Sequence, residues 1–229
     1  MNFRKLLFIG IASIFFIDKL SAQSLYSVGS LPVVNINTAV GKKWDLNMRM
    51  ESRQIYKTEI FGEASVNDFR YELNDYAAIL TYRSSPVTRV GAGYLIRIRN
   101  NEVFHRAIQQ FTIVDQLGII RLAHRISTDQ TFSSNRPAEY RLRYRISLEI
   151  PLNGQTIDNR ELYIRFNNEY LGSVEENAFD LEVRVVPLLG INLTSNNKLE
   201  TGLDYRTRSF IGDTAIHNFW FTVNWFIRI

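Results

Sequence analysis

Nine charged side chains have a spacing that could do chemistry: Arg141, Arg143, Arg145, Glu161, Arg165, Glu169, Asp204, Arg206 and Arg208. Arg141, Arg143 and Arg145 recur at every second position, so an extended chain projects all three from one face. Glu161, Arg165 and Glu169 share one parity in a later segment, and Asp204, Arg206 and Arg208 do so in another. Lining a lumen, such faces can guide an anion past successive guanidinium groups. They can equally fill the lumen with mutually neutralising pairs, because buried charges require partners. A barrel of about ten to twelve strands leaves little open space, so a charge-lined and largely filled lumen is expected.

Other chemistry finds less support. His105, His124 and His217 are the only histidines, and Ser127 lies three residues from His124. On a strand that spacing puts the two side chains on opposite faces, so they form no ready dyad. An enzyme is therefore not expected, and no residue is assigned a catalytic role. With no cysteine and no paired histidine spacing, neither a metal nor another cofactor is expected. Asn192-Leu193-Thr194 spells a glycosylation sequon but reads as a strand end before a turn. Gly91-Ala92-Gly93 falls within a strand with no helix after it, unlike a nucleotide-binding loop.

The element that must position the three arginines runs from Glu139 to Leu152, EYRLRYRISLEIPL. Tyr140, Leu142, Tyr144, Ile146, Leu148 and Ile150 fall on one parity, and Arg141, Arg143, Arg145, Ser147 and Glu149 on the other. This period of two makes a strand with one apolar and one charged face. A helix would scatter the same residues around its axis and bury arginines at a large desolvation cost.

The pattern recurs along the chain. Trp44, Leu46, Met48 and Met50 oppose Asp45, Asn47, Arg49 and Glu51. Val90, Ala92, Tyr94, Ile96 and Ile98 oppose Arg89, Gly91, Gly93, Arg97 and Arg99. Leu162, Ile164 and Phe166 oppose Tyr163, Arg165 and Asn167, and Phe219 to Ile229 closes the series at the last residue. Val103 to Val114 and Ile119 to Thr128 form a hairpin with poor alternation. Pro187, lacking an amide proton, is expected at a bulge.

Residues 1–22 read as a secretory signal peptide: Arg4 and Lys5, an apolar run from Leu6 to Ile17, and small residues at Ser21-Ala22. The apolar run falls short of the ~20 residues a spanning helix needs. Residues 23–229 then form one domain, with no Pro/Gly/Ser-rich linker to divide it. Without Arg4, Lys5, Lys19 and Asp18 the remainder carries 24 basic and 22 acidic side chains, a net charge of +2. Basic residues alternate with acids and hydrophobes instead of forming a patch, so nucleic acid is not an expected partner.

About eleven candidate strands of roughly ten or more residues match the length that crosses a bilayer at a tilt. Short turns at Gly41, Ser84, Asp115 and Ser195 alternate with longer loops at Lys57 to Asp68, Asp129 to Ala138, Gly172 to Asn177 and Gly212. That is the asymmetry of periplasmic turns and extracellular loops. Trp44, Tyr82 and Trp225 near one end, with Tyr140, Tyr170 and Phe210 near the other, suit interfacial girdles. The expected fold is an all-β, antiparallel, up-and-down transmembrane barrel of about ten to twelve strands, twelve preferred because an even number returns both termini to the periplasm. With about eleven strands read, Ser24 to Ser30 would supply the twelfth as a short strand, unless the N-terminus threads the lumen or one strand assignment is wrong. A soluble periplasmic lipocalin-like barrel is the competing expectation, since alternation alone does not say which solvent lies outside.

The stretches NNEYLGSVEENAFDLEVRVVPLLGINLTSNNKLETGLDYRTRSF and HNFWFTVNWFIRI, with YRLRYRISLEIPLNG and GKKWDLNMRMESRQ before them, resemble an uncharacterised family catalogued as domain of unknown function 2490. The resemblance covers nearly all of residues 23–229. It implies an outer-membrane barrel in a Gram-negative cell, without an established activity, and carries over no catalytic residue. The partners then expected are outer-membrane lipid and the barrel insertion machinery, which would engage the C-terminal strand of a monomer.

Overall fold

The computed structural model describes residues 24–60, 67–209, 211 and 214–229. The expected signal peptide, Phe210 of the expected girdle and the centre of the loop expected from Lys57 to Asp68 lie outside the described residues. Among the described residues eleven strands make up the fold: β1 (Leu25–Ala39), β2 (Trp44–Ile60), β3 (Asn67–Arg83), β4 (Thr88–Arg99), β5 (Glu102–Leu117), β6 (Ile120–Phe132), β7 (Glu139–Pro151), β8 (Leu162–Glu175), β9 (Ala178–Thr194), β10 (Asn197–Arg208) and β11 (Ile216–Arg228). Among the described residues there is no helix.

Each strand bonds to the next in sequence, and β11 returns to β1 to close the barrel. All neighbours are antiparallel except β1 and β11, which run parallel from Leu25↔Ile216 to Asn37↔Arg228. Parallel closure follows from strand number, because an odd count sends the first and last strands in the same direction. The preferred count of twelve is therefore corrected to eleven. Leu25 to Ser30 do not form a strand of their own but continue into Leu31 as the first part of β1. Leu25 and Ile229 consequently sit at opposite mouths. We call these the leading mouth, where β1 starts, and the trailing mouth, where it ends.

The expected loop asymmetry is also corrected. The longest connection, 152–161, lies at the trailing mouth among the short turns, while tight turns at 100–101 and 176–177 lie at the leading mouth. Asn100 and Asn101 adopt φ of 50° and 61°, the left-handed pair that a two-residue hairpin turn requires. Asp129 to Phe132 belong to β6 and Gly172 to Glu175 to β8. Both segments looked like loops because polar side chains turn inward here, so a run of polar residues does not end a strand.

Pro187 lies within β9 opposite Phe166, and its missing donor falls on the β10 side. The ladder from Leu188↔Gly202 resumes at Val185↔Tyr205 in unchanged register, and the only irregularity of that pair is at Asn197/Lys198. The expected bulge at Pro187 is thus a short gap in pairing. The rigid ring costs hydrogen bonds locally without inserting a residue.

Inside the barrel, Leu31, Val33, Ile55 and Trp220 form an apolar cluster near the seam. Trp220 is 4% exposed, whereas its neighbour Phe221 is 62% exposed, so parity in β11 separates the interior from the outer surface. Tyr163 is completely buried against Gly190, and its Oη donates to Glu200 Oε1 at 2.7 Å. A Cβ at Gly190 would fall 2.5 Å from Cε2 of that ring, a distance that real side chains do not tolerate. Gly190→Ala is expected to destabilise the barrel by about 1–3 kcal/mol through overpacking. Denaturant unfolding checks this, with an unchanged midpoint counting against the packing.

Candidate functional site

The strands turn their polar parity inward around a cavity of about 1050 Å³. Its lining reaches both mouths, with Glu175, Asp180 and Arg208 at the leading end and Arg83, Arg89 and Arg228 at the trailing end. Among the described residues nineteen Arg or Lys and thirteen Asp or Glu line it, an excess of six positive charges. The lumen therefore concentrates the basic character of a chain that is nearly balanced as a whole.

Cross-strand register arranges much of this charge in one continuous row. Arg83 of β3 faces Arg89 of β4, then Thr112 of β5, Arg125 of β6 and Arg145 of β7. The row continues through Glu169 of β8, Arg184 of β9 and Arg206 of β10 to Asn218 of β11. Each step follows the hydrogen-bonding direction, about 4.8 Å, and tilted, staggered strands turn such a row into a ramp. It starts beside the trailing mouth and ends beside the leading one, carrying six arginines and one carboxylate on the cavity wall.

Acids on the same face hold most of these arginines. Glu169, 2% exposed, accepts from Arg145 Nε at 2.6 Å and lies 3.1 Å from Arg184 and 3.7 Å from Arg143. Arg206 makes a two-pronged pair with Asp204, both contacts at 2.8 Å. Asp129, also 2% exposed, binds Arg141 at 3.0 Å and Arg143. Arg165 bridges Glu149 to Glu200, with 2.6 Å to the latter. Among the described residues Arg89, Arg106, Arg125, Lys198, Arg208 and Arg228 line the cavity without an ion pair.

Of the nine residues singled out from the sequence, Arg141, Arg143, Arg145, Arg165, Glu169, Asp204, Arg206 and Arg208 line the cavity. Glu161 does not, and this corrects its assignment to the lumen. It ends the 152–161 connection just before β8 begins, where Oε2 accepts the backbone N–H of Asp158 at 2.9 Å. Parity carries a side chain inward only while the backbone stays in the sheet. Asp129 falls in a segment whose polar composition reads as loop, so residue order alone does not offer it as a partner. Its parity with Arg125 and Ser127 was the available signal.

The histidines do not converge. His105 Nδ1 meets Tyr94 Oη at 2.7 Å, His124 Nδ1 meets Tyr144 Oη at 2.7 Å, and His217 Nδ1 meets Tyr205 Oη at 2.8 Å. His124 faces outward while Ser127 is buried inside, so the two remain apart. Asn192 of the sequon spelling is buried, with Nδ2 donating to Asp158 O at 3.0 Å.

No curated protein and no solved structure matches this chain. A family model described as a protein of unknown function, DUF2490, matches residues 29–216, a span that runs from early β1 to the first residue of β11. The chain with this eleven-stranded, charge-lined barrel belongs to the DUF2490 family.

Proposed function

We propose that the barrel spans the outer membrane of a Gram-negative cell as a monomer and offers small anions a narrow passage through its lumen. The observation that carries this reading is a single cavity reaching both mouths with an excess of six positive charges on its wall. Fixed lumen charges set which ions enter.

The outer surface supports a lipid setting. Leu142, Phe221, Val223 and Trp225 stand exposed on the outward parity. Closure leaves no open sheet edge, which a bilayer would not tolerate. Polar side chains on the same surface pair with one another: the three histidines through Nδ1 with tyrosines, and Gln109 with Thr128 and Gln130. The last strand, which the insertion machinery would engage, sits between β10 and β1.

Planar-bilayer conductance of the refolded barrel tests the proposal. The expected result is steady conductance with a reversal potential favouring chloride over potassium. Replacing Arg141, Arg143 and Arg145 together with glutamine halves the excess of six charges and is expected to abolish that preference. A barrel that inserts but never conducts overturns the passage. Recovery of the native protein in the soluble periplasmic fraction, without detergent, overturns the membrane location and promotes a lipocalin-like carrier.

A further inference from the structure

We infer that five arginines, Arg53, Arg97, Arg106, Arg141 and Arg206, close on one another across the lumen as a constriction nearer the leading mouth, and that this constriction sets the size limit and anion preference of the passage. This deepens the proposed function and rests on it for conduction. All five line the cavity. Counted from the leading ends of their strands, Arg97 is third on β4, Arg141 third on β7, Arg206 third on β10 and Arg106 fifth on β5. Arg53 of β2 faces Leu73, two positions from the Asp75 that faces Arg97.

Burial marks the level. Each of the five is at most 16% exposed although it lines a cavity open at both ends. Arg184 of β9, 14% exposed, borders the same belt. Arg99 and Arg136 at the leading mouth are 39% and 55% exposed. On the trailing side exposure rises from Arg143 to Arg145 and lies between 39% and 43% at Arg49, Arg83 and Arg121. A lumen of even width would expose its long side chains evenly, so the free space is narrowest where the five stand.

The groups that narrow it reach over from different walls. β4 and β10 stand on opposite sides of the barrel, six strands apart by one route and five by the other. Arg97 nevertheless has Arg206 among its charged neighbours. Arg53 has both Arg206 and Arg97, and Arg106 and Arg141 each have Arg97. Arg97 is thus a common neighbour of the other four, which makes them one cluster.

Acids hold four of the five in place. Arg97 forks onto Asp75 with both contacts at 2.7 Å, and Arg206 onto Asp204 at 2.8 Å. Arg53 Nε donates to Glu51 at 2.7 Å, and Arg141 meets Asp129 at 3.0 Å. Arg106 enters no ion pair among the described residues, and its Nε donates to the neutral Thr131 Oγ1 at 2.9 Å. Its charge is therefore the uncompensated one at the narrowest level, where it repels a cation and attracts an anion most strongly. Small inorganic anions pass such a ring by exchanging water for guanidinium N–H groups, while width excludes bulkier organic ones.

Single-channel recording of the folded full chain in planar bilayers tests the constriction. Arg106→Gln is expected to lower the chloride-over-potassium permeability ratio about threefold or more, while Arg228→Gln, an equally unpaired charge at the trailing mouth, leaves it within about 1.5-fold. Arg106→Ala combined with Arg141→Ala is expected to raise the conductance and admit larger neutral polyethylene glycols. Asp129 keeps Arg143 as its partner in that variant. Heat-dependent gel migration identifies the folded variants, and if the double change does not fold, Arg106→Gln decides. Equal effects of Arg106→Gln and Arg228→Gln, or an unchanged polymer limit in the double variant, overturn the constriction and leave the passage standing. A native barrel that never conducts beside a double variant that does overturns the passage and supports the constriction as a closure. No conductance from either overturns both.

Discussion

Replacing Glu169 with glutamine is expected to destabilise the folded barrel by about 3–5 kcal/mol, the cost of stranding buried charges that shared one partner. Glu169 lies at the middle of β8, between Arg145 of β7 and Arg184 of β9 in register. Its Oε2 takes the Arg145 Nε–H at 2.6 Å, while Oε1 is approached by Arg184 and Arg143 without a hydrogen bond of good alignment. One carboxylate therefore offsets the mutual repulsion of three guanidinium groups. Glutamine keeps the volume, so any loss reports charge and not a cavity. Urea unfolding in detergent measures it, with Glu161→Gln outside the lumen as the reference expected to stay within about 0.5 kcal/mol. A Glu169→Gln loss as small as that of Glu161→Gln would show that water or a bound ion already screens the cluster.

Phe221→Arg is expected to cost about 2–4 kcal/mol when the barrel is folded into lipid vesicles, as for an arginine near the bilayer midplane. Phe221 is 62% exposed and sits at the centre of β11, which places it midway between the mouths. The same change on a barrel surrounded by water would expose one more charge to solvent and stay within about 0.5 kcal/mol. The two settings thus predict different numbers for one substitution. Val223→Arg, next on the same face, should follow Phe221→Arg. A neutral result for both in vesicles would sink the proposed bilayer location. It would also make the outward apolar band a surface for some other partner.

Much of the strand content was legible in residue order alone, because period-two alternation records two different environments on the two faces of a strand. In β7 the tyrosine, leucine and isoleucine parity faces out and the arginine parity faces in, as the spacing of Arg141, Arg143 and Arg145 requires. The sequence also determined that charge would dominate the lumen, since no other face was left to carry it. What only the tertiary structure decided depends on pairing between distant strands. The count of eleven with its parallel seam, Asp129 as a strand residue and Glu161 outside the lumen follow from where the sheet begins and ends. The arginine row from Arg83 to Arg206 crosses eight strands, and none of its members is close in sequence to more than one other. Alternation specifies which face a side chain takes but not its height on the wall. Height is set by register and stagger, which sum over every hydrogen-bonded neighbour around the barrel.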